Sequence, residues 1–169
     1  SIDEDTVFTY TLTATDVDDT ELLYSATVDG NANVDITGST LTITPDLDFN
    51  GDVVVDVSVS DGVLTDTNSF TLSVLPVNDA PVLTDIPDQS IDEDTVFTYT
   101  LTATDVDSDE TIYSLVIIEG NATYDLNDSQ LSVYPDLNFN GNIQISIAAS
   151  DGEFATSQSF TLSVLPVND

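Results

Sequence analysis

The sequence predicts an all-β chain built as two tandem β-sandwiches of about seven strands each. Three observations carry this reading. Residues 1–10 return as residues 90–99, and residues 70–79 return as residues 160–169, so most of the 169-residue chain is written twice. Apolar and polar side chains alternate along nearly every segment, the period of a half-buried strand, and no segment shows helical spacing. Turn residues interrupt the alternation at short intervals. A repeat of this length is a whole small domain, not one coil of a solenoid. The expected domains are 1–79 and 80–169, with residues 78–81 as the linker.

The strands follow in order. Phe8, Tyr10, Leu12 and Ala14 face one way, with Thr9, Thr11 and Thr13 opposite. Leu22, Tyr24, Ala26 and Val28 resume the pattern after an acidic loop. Leu41 and Ile43 form a short strand after the Thr37-Gly38 turn. Val53, Val55, Val57 and Val59 point inward, and Phe70, Leu72 and Val74 close the repeat. The second copy keeps this phase through Phe97, Tyr99 and Leu101, then Leu131 and Val133, then Ile143, Ile145 and Ile147, then Phe160, Leu162 and Val164. Asp29-Gly30-Asn31, Asn50-Gly51, Asp61-Gly62, Asn140-Gly141 and Asp151-Gly152 supply the turn chemistry. The second copy carries one extra residue between Tyr113 and Gly120. Residues 81–86 form its expected first strand, and nothing precedes Ser1 to do the same for the first copy. With no signal peptide, the expectation is an internal piece of a longer protein. The linker lacks Gly and Ser, and Pro81 biases Ala80 toward extended geometry, so no flexible tether is expected.

Charge dominates the composition. There are 32 acidic residues and no Lys, Arg or His, a formal charge of −32. No ion pair with a basic side chain can form, and the charge repels itself. Disorder is the plain reading of such acidity, but 40% apolar content in strict alternation argues for folding. Inorganic cations are then the expected source of positive charge. Nucleic acid and anionic membrane surfaces are excluded as partners, since both need basic side chains. No apolar run approaches the roughly 20 residues that span a bilayer. Without cysteine there is neither a disulfide nor a thiolate metal site.

Five acidic or amide clusters recur at strand ends. They are residues 3–5, 16–18, 46–50, 60–62 and 78–79, matched by 92–94, 105–107, 136–140, 150–152 and 168–169. Hard divalent cations take six to eight such oxygens. Asp, Asn and Gly are also ordinary turn residues, and each cluster alone is open to that reading. An EF-hand is rejected. Asp46, Asp48, Asn50 and Gly51 fit the first half of its loop, but Val57 and Ile147 stand where its bidentate Glu belongs, and strands flank it.

Both copies resemble cadherin-type repeats, in particular the cadherin-like Ig-fold repeats of bacterial surface and secreted proteins. The matching residues are Glu4, residues 14–18 with Tyr24-Ser25, residues 47–50, residues 60–62, and Val77-Asn78-Asp79-Ala80-Pro81. The resemblance implies Ca²⁺ as cofactor. It assigns Glu4, Asp48, Asn50, Asn78, Asp79, Asp105, Asp107 and Asp151 to a shared junction cluster. It assigns Asp16, Asp18 and Asp61 to a half-site for an upstream repeat. Glu93, Asn140, Asn168 and Asp169 form the downstream half-site, weakened by Asn138 in place of Asp48's counterpart. Neighbouring repeats of the same chain are the implied partners, and the location is extracellular, at the cell surface or secreted. The expected function is a calcium-rigidified extender of an adhesin. The alternative is a carbohydrate-binding or cell-aggregating module beside a polysaccharide-active enzyme, for which Tyr124 and Tyr134 are the candidate stacking residues. Polysaccharide or another cell surface would then be the partner. No catalysis is expected, since His, Cys and Lys are absent and the paired carboxylates all repeat at loops.

Overall fold

A computed structural model describes residues 1–18, 21–108 and 110–168, and every regular element among them is a strand. The chain divides into two units, residues 1–77 and 78–169.

The first unit holds β1 (Ile2–Asp3), β2 (Phe8–Thr11), β3 (Leu23–Val28), β4 (Ala32–Thr37), β5 (Thr40–Pro45), β6 (Gly51–Ser60) and β7 (Thr65–Leu75). One sheet has the order β1-β7-β6-β3 and the facing sheet β2-β5-β4. Strand β4 lies where the sequence reading placed no strand. Ala32, Val34 and Ile36 alternate there, but the strand is only six residues long. Strand β1 pairs in parallel with β7, Ile2 opposite Val74. Leu41, Ile43, Val53, Val55, Leu72 and Val74 form the core between the sheets. Val57 and Val59, expected inward, are only half-buried.

The second unit repeats this plan with β9 (Gln89–Asp92), β10 (Phe97–Thr100), β12 (Ile112–Glu119), β13 (Ala122–Asn127), β14 (Gln130–Pro135), β15 (Gly141–Ser150) and β16 (Ala155–Leu165). The sheets run β12-β15-β16-β9 and β10-β14-β13. Two short strands are added, β8 (Val82–Leu83) and β11 (Ala103–Thr104), which pair antiparallel. The core is larger and includes Ile86, Leu101, Leu115, Ile147 and Phe160. The extra residue of this copy is absorbed as a bulge. Ile117 pairs with Ile145 and Glu119 with Gln144, leaving Ile118 outside the ladder and exposed. Gly120 follows directly at φ 101°.

Candidate metal centre

Five of the sequence-assigned ligands meet at one end of the second unit. Asn78 Nδ2 donates to Asp151 Oδ2 at 2.7 Å. The Asp79 amide donates to Asp107 Oδ2 at 2.8 Å. Asp105 Oδ1 accepts the amides of Asp107 at 2.9 Å and Ser108 at 2.8 Å. Asp151 Oδ1 accepts those of Glu153 and Phe154, both at 2.7 Å. These Asx-type bonds shape the loops and also fix where the second oxygen of each carboxylate points. The Asp151 carboxyl is held below the usual carboxylate range, first by the Asn78 amide and then by the Glu153 N–H.

One oxygen here has no account within the protein. Asp105 Oδ2 is buried and has no hydrogen-bond partner among the described residues. A buried carboxylate oxygen left bare is costly, and the chain has no basic side chain to offer it. The donor set around it is carboxylate and amide oxygen, the chemistry that hard cations such as Ca²⁺ prefer. The residues therefore fit the group the sequence implied.

In the first unit Asp16 Oδ1 accepts the Asp18 amide at 2.8 Å. Asp61 Oδ1 accepts the amides of Val63 and Leu64 at 2.7 Å. Those bonds, Leu64's first, hold the Asp61 carboxyl low. Asp16 and Asp61 line one groove.

Glu4 lies elsewhere in that unit and is 4% exposed. Its N–H donates to Leu75 O at 2.9 Å, and its Oε1 accepts the Val77 amide. Its Oε2 is a second buried carboxylate oxygen without a hydrogen-bond partner among the described residues. Glu93 repeats the arrangement with Leu165 O at 2.8 Å and the Val167 amide at 2.6 Å. Its Oε2 accepts Asn140 Nδ2 at 3.4 Å. Asn168 is exposed, and Asp169 lies outside the described residues.

Asp48 and its counterpart Asn138 take φ near +55°, a conformation that favours Asn and Asp among residues with a side chain. Their amides donate to Asp5 Oδ1 at 3.1 Å and Asp94 Oδ1 at 2.8 Å. Asn50 follows Asp48 on the same loop and leads into Gly51. The sequence reading passed over Asp5 and Asp94 as site residues. The cue was available, since a left-handed Asx on a loop calls for an acceptor for its N–H.

Tyr124 and Tyr134 do not form one stacking surface. Tyr124 pairs with Val133 and Tyr134 with Thr123, adjacent rungs whose side chains lie on opposite faces. Tyr124 is on the core side, and its hydroxyl donates to Leu115 O at 3.0 Å.

The cadherin-like domain family matches residues 77–165, just over half of the chain. The chain belongs to the cadherin-like domain family. Its fold is similar to the first two extracellular repeats of human protocadherin-24, with 20% identity over 94% of this chain and 88% of that one and a TM-score of 0.52. The four-repeat structure of Drosophila N-cadherin shares 19% identity over 99% of this cadherin-like chain and 47% of its own, TM-score 0.48. The endo-fucoidan hydrolase MfFcnA4 shares 19% identity over 87%, TM-score 0.42, and the chain spans about a quarter of that hydrolase's length. No curated protein sequence matches it. Among the described residues no helix is long and apolar enough to cross a membrane.

Proposed function

We propose that the chain is a calcium-rigidified tandem extender segment of a cell-surface or secreted adhesin. The observation that supports this is Asp105 Oδ2, a buried and unpartnered carboxylate oxygen in a chain without one basic side chain. Asp105, Asp107, Asp151, Asn78 and Asp79 surround that end of the second repeat with oxygen donors. In the proposal they hold Ca²⁺. The sequence resemblance adds Glu4, Asp48 and Asn50 to the same ions, and gives Asp16, Asp18 and Asp61 and Glu93 the corresponding roles toward neighbouring repeats. A bound divalent cation supplies the positive charge these carboxylates lack.

The chain's own residues determine what binding does. Asp105, Asp107 and Asp151 are held by backbone amides through one oxygen or one loop each, so little ordering entropy opposes capture. Without cation the like charges repel and the linker is free to move. With cation the linker residues Asn78 and Asp79 are drawn into the same oxygen shell. Extracellular calcium modules bind with Kd of roughly 10⁻⁴–10⁻³ M. One site at ten times its Kd adds about 1.4 kcal/mol of stability.

Small-angle scattering of the 169-residue chain in EDTA and in millimolar Ca²⁺ tests this. The proposal expects a narrower distribution of inter-repeat distances with Ca²⁺. It expects the response to need a higher Ca²⁺ concentration in Asp105→Asn. Identical profiles in the two solutions overturn it.

A further inference from the structure

The second repeat differs from the first on the outer face of one sheet. Strand β12 borders that sheet, and its outward side chains include Ile112, Val116 and Ile118, each more than half exposed. Val116 lies opposite Ser146 and Ser146 opposite Ser159, and the next rung on that face is Ser114, Ala148 and Ser157. The outward positions of 112–118, 142–150 and 157–163 carry no charged side chain. Carboxylates begin at the border, at Glu119 opposite Gln144 and at Asp88, whose Oδ1 accepts the Thr161 amide at 2.7 Å. An uncharged face of this extent stands out in a chain with 32 acidic residues.

The same face of the first repeat is charged. There Thr27 lies opposite Asp56, Asp56 opposite Ser69, and Asp52 opposite Ser73. In the second repeat Asn142 and Ser146 stand in place of Asp52 and Asp56, and Val116 in place of Thr27. The residue that this copy adds is Ile118, and the bulge leaves it exposed at the end of the same strand. Bulges commonly re-aim a side chain in this way. Gln144 in place of Val54 runs the other way. On balance two carboxylates are lost from one face and two branched aliphatic side chains are gained.

We propose that this face is a self-association surface, on which the second repeat of one molecule packs against the same face of another by two-fold contact. Charge selects the occupant. A cationic partner would gain from Asp at residues 142 and 146, so their replacement favours an occupant that is itself acidic, and a second copy of this chain is one. Two copies at −32 repel each other. Physiological salt screens charges beyond about 8 Å, so the carboxylates inside the contact decide the balance, and this face brings none there. Its size sets the strength. Six residue steps along β12 span about 20 Å and three strands about 14 Å, a footprint of roughly 300 Å² per molecule. Stable interfaces bury about 800 Å² per partner. The contact is therefore weak between free molecules, about millimolar, and gains strength where many copies are held side by side.

The test is a concentration series of the isotope-labelled 169-residue chain, from micromolar to millimolar, at constant Ca²⁺. The methyl signals of Ile112, Val116 and Ile118 are expected to shift with concentration. Those of Leu23, exposed at the matching place in the first repeat, stay put. Added NaCl strengthens the association, the sign for contact between like-charged molecules. Ser146→Asp weakens it about tenfold or more, because the two-fold contact then sets like charges face to face. Val116→Thr weakens it less. Both variants install what the first repeat carries at the same rung, so the sandwich accommodates them. The proposal is overturned by no concentration dependence at millimolar protein, or by equal shifts on both repeats. Association that survives undiminished in Ser146→Asp also overturns it, whatever then joins the copies, bridging Ca²⁺ included. The calcium reading can fail without touching these outcomes, because no assigned metal ligand lies on this face.

Discussion

Asn78 and Asp151 are joined side chain to side chain across 73 residues of sequence, Nδ2 to Oδ2 at 2.7 Å. The bond ties the first residue of the second unit to the turn between β15 and β16. It is also the largest cause of the lowered Asp151 pKa. A carboxylate held low in the folded state stabilises fully above its unfolded value, near 3.8. That contribution is lost as pH falls through the depressed folded value. Asn78→Ala in EDTA therefore raises the Asp151 pKa toward 3.8 and starts acid unfolding at higher pH. Asp61, held chiefly by the Leu64 and Val63 amides, titrates unchanged. Carbon-detected titration of the carboxyl groups reads both.

Removing calcium lowers the melting temperature, and Asp105→Asn removes most of that difference. The asparagine Oδ1 still accepts the Asp107 and Ser108 amides, so the loop survives while the charge and the free carboxylate oxygen are lost. The affinity for Ca²⁺ falls about tenfold or more, because ligand charge sets the affinity of such sites. Calorimetric titration measures the affinity, and circular dichroism melts in EDTA measure the apo stability, which does not fall because one charge leaves a repelling cluster.

The two repeats unfold at different stabilities, the first before the second. Phe160 is buried and packs at 6.0 Å from Phe97, while its counterpart Phe70 is half-buried at 6.2 Å from Phe8. Phe160→Ala costs about 3–5 kcal/mol, and Phe70→Ala costs less. Native-state hydrogen exchange, read separately on β6 and β15, ranks them.

Gly120→Ala destabilises the second repeat alone, by more than about 1 kcal/mol. A Cβ there would sit 2.8 Å from the Ile143 Cα and 2.9 Å from the Asn142 carbonyl oxygen, at a φ that favours glycine. Gly30→Ala in the first repeat meets no atom within 4 Å and bears only the backbone strain. Urea denaturation of the two variants separates the steric part from the strain.

The long central strands were legible from residues alone, because Val53 and Val55, or Ile143 and Ile145, alternate with polar neighbours and are fully buried. Three things were not. Val57 and Val59 carry the same inward pattern as Ile147 and Ala149 but are only half-buried, because burial depends on segments distant in sequence. Strands β1 and β9 pair in parallel with β7 and β16, and backbone pairing of so few residues leaves no side-chain period to read. Of the acidic clusters, the residue types were visible, but not which oxygen of each is spent on the backbone. Asp105 Oδ1 is spent and Oδ2 is not, and that division decides what the site can hold.

The parallel pairing has a mechanical corollary. In the second unit Pro81 lies beside Thr156 at the start of β16, and the chain leaves after Leu165 at that strand's far end. At about 3.3 Å per residue these two points lie at opposite ends of a strand some 33 Å long. Tension applied between them would run along the β9–β16 ladder, whose rungs from Gln89–Leu162 to Asp92–Leu165 would be sheared together instead of peeled one at a time. A unit pulled in that direction would hold its length until several rungs broke together.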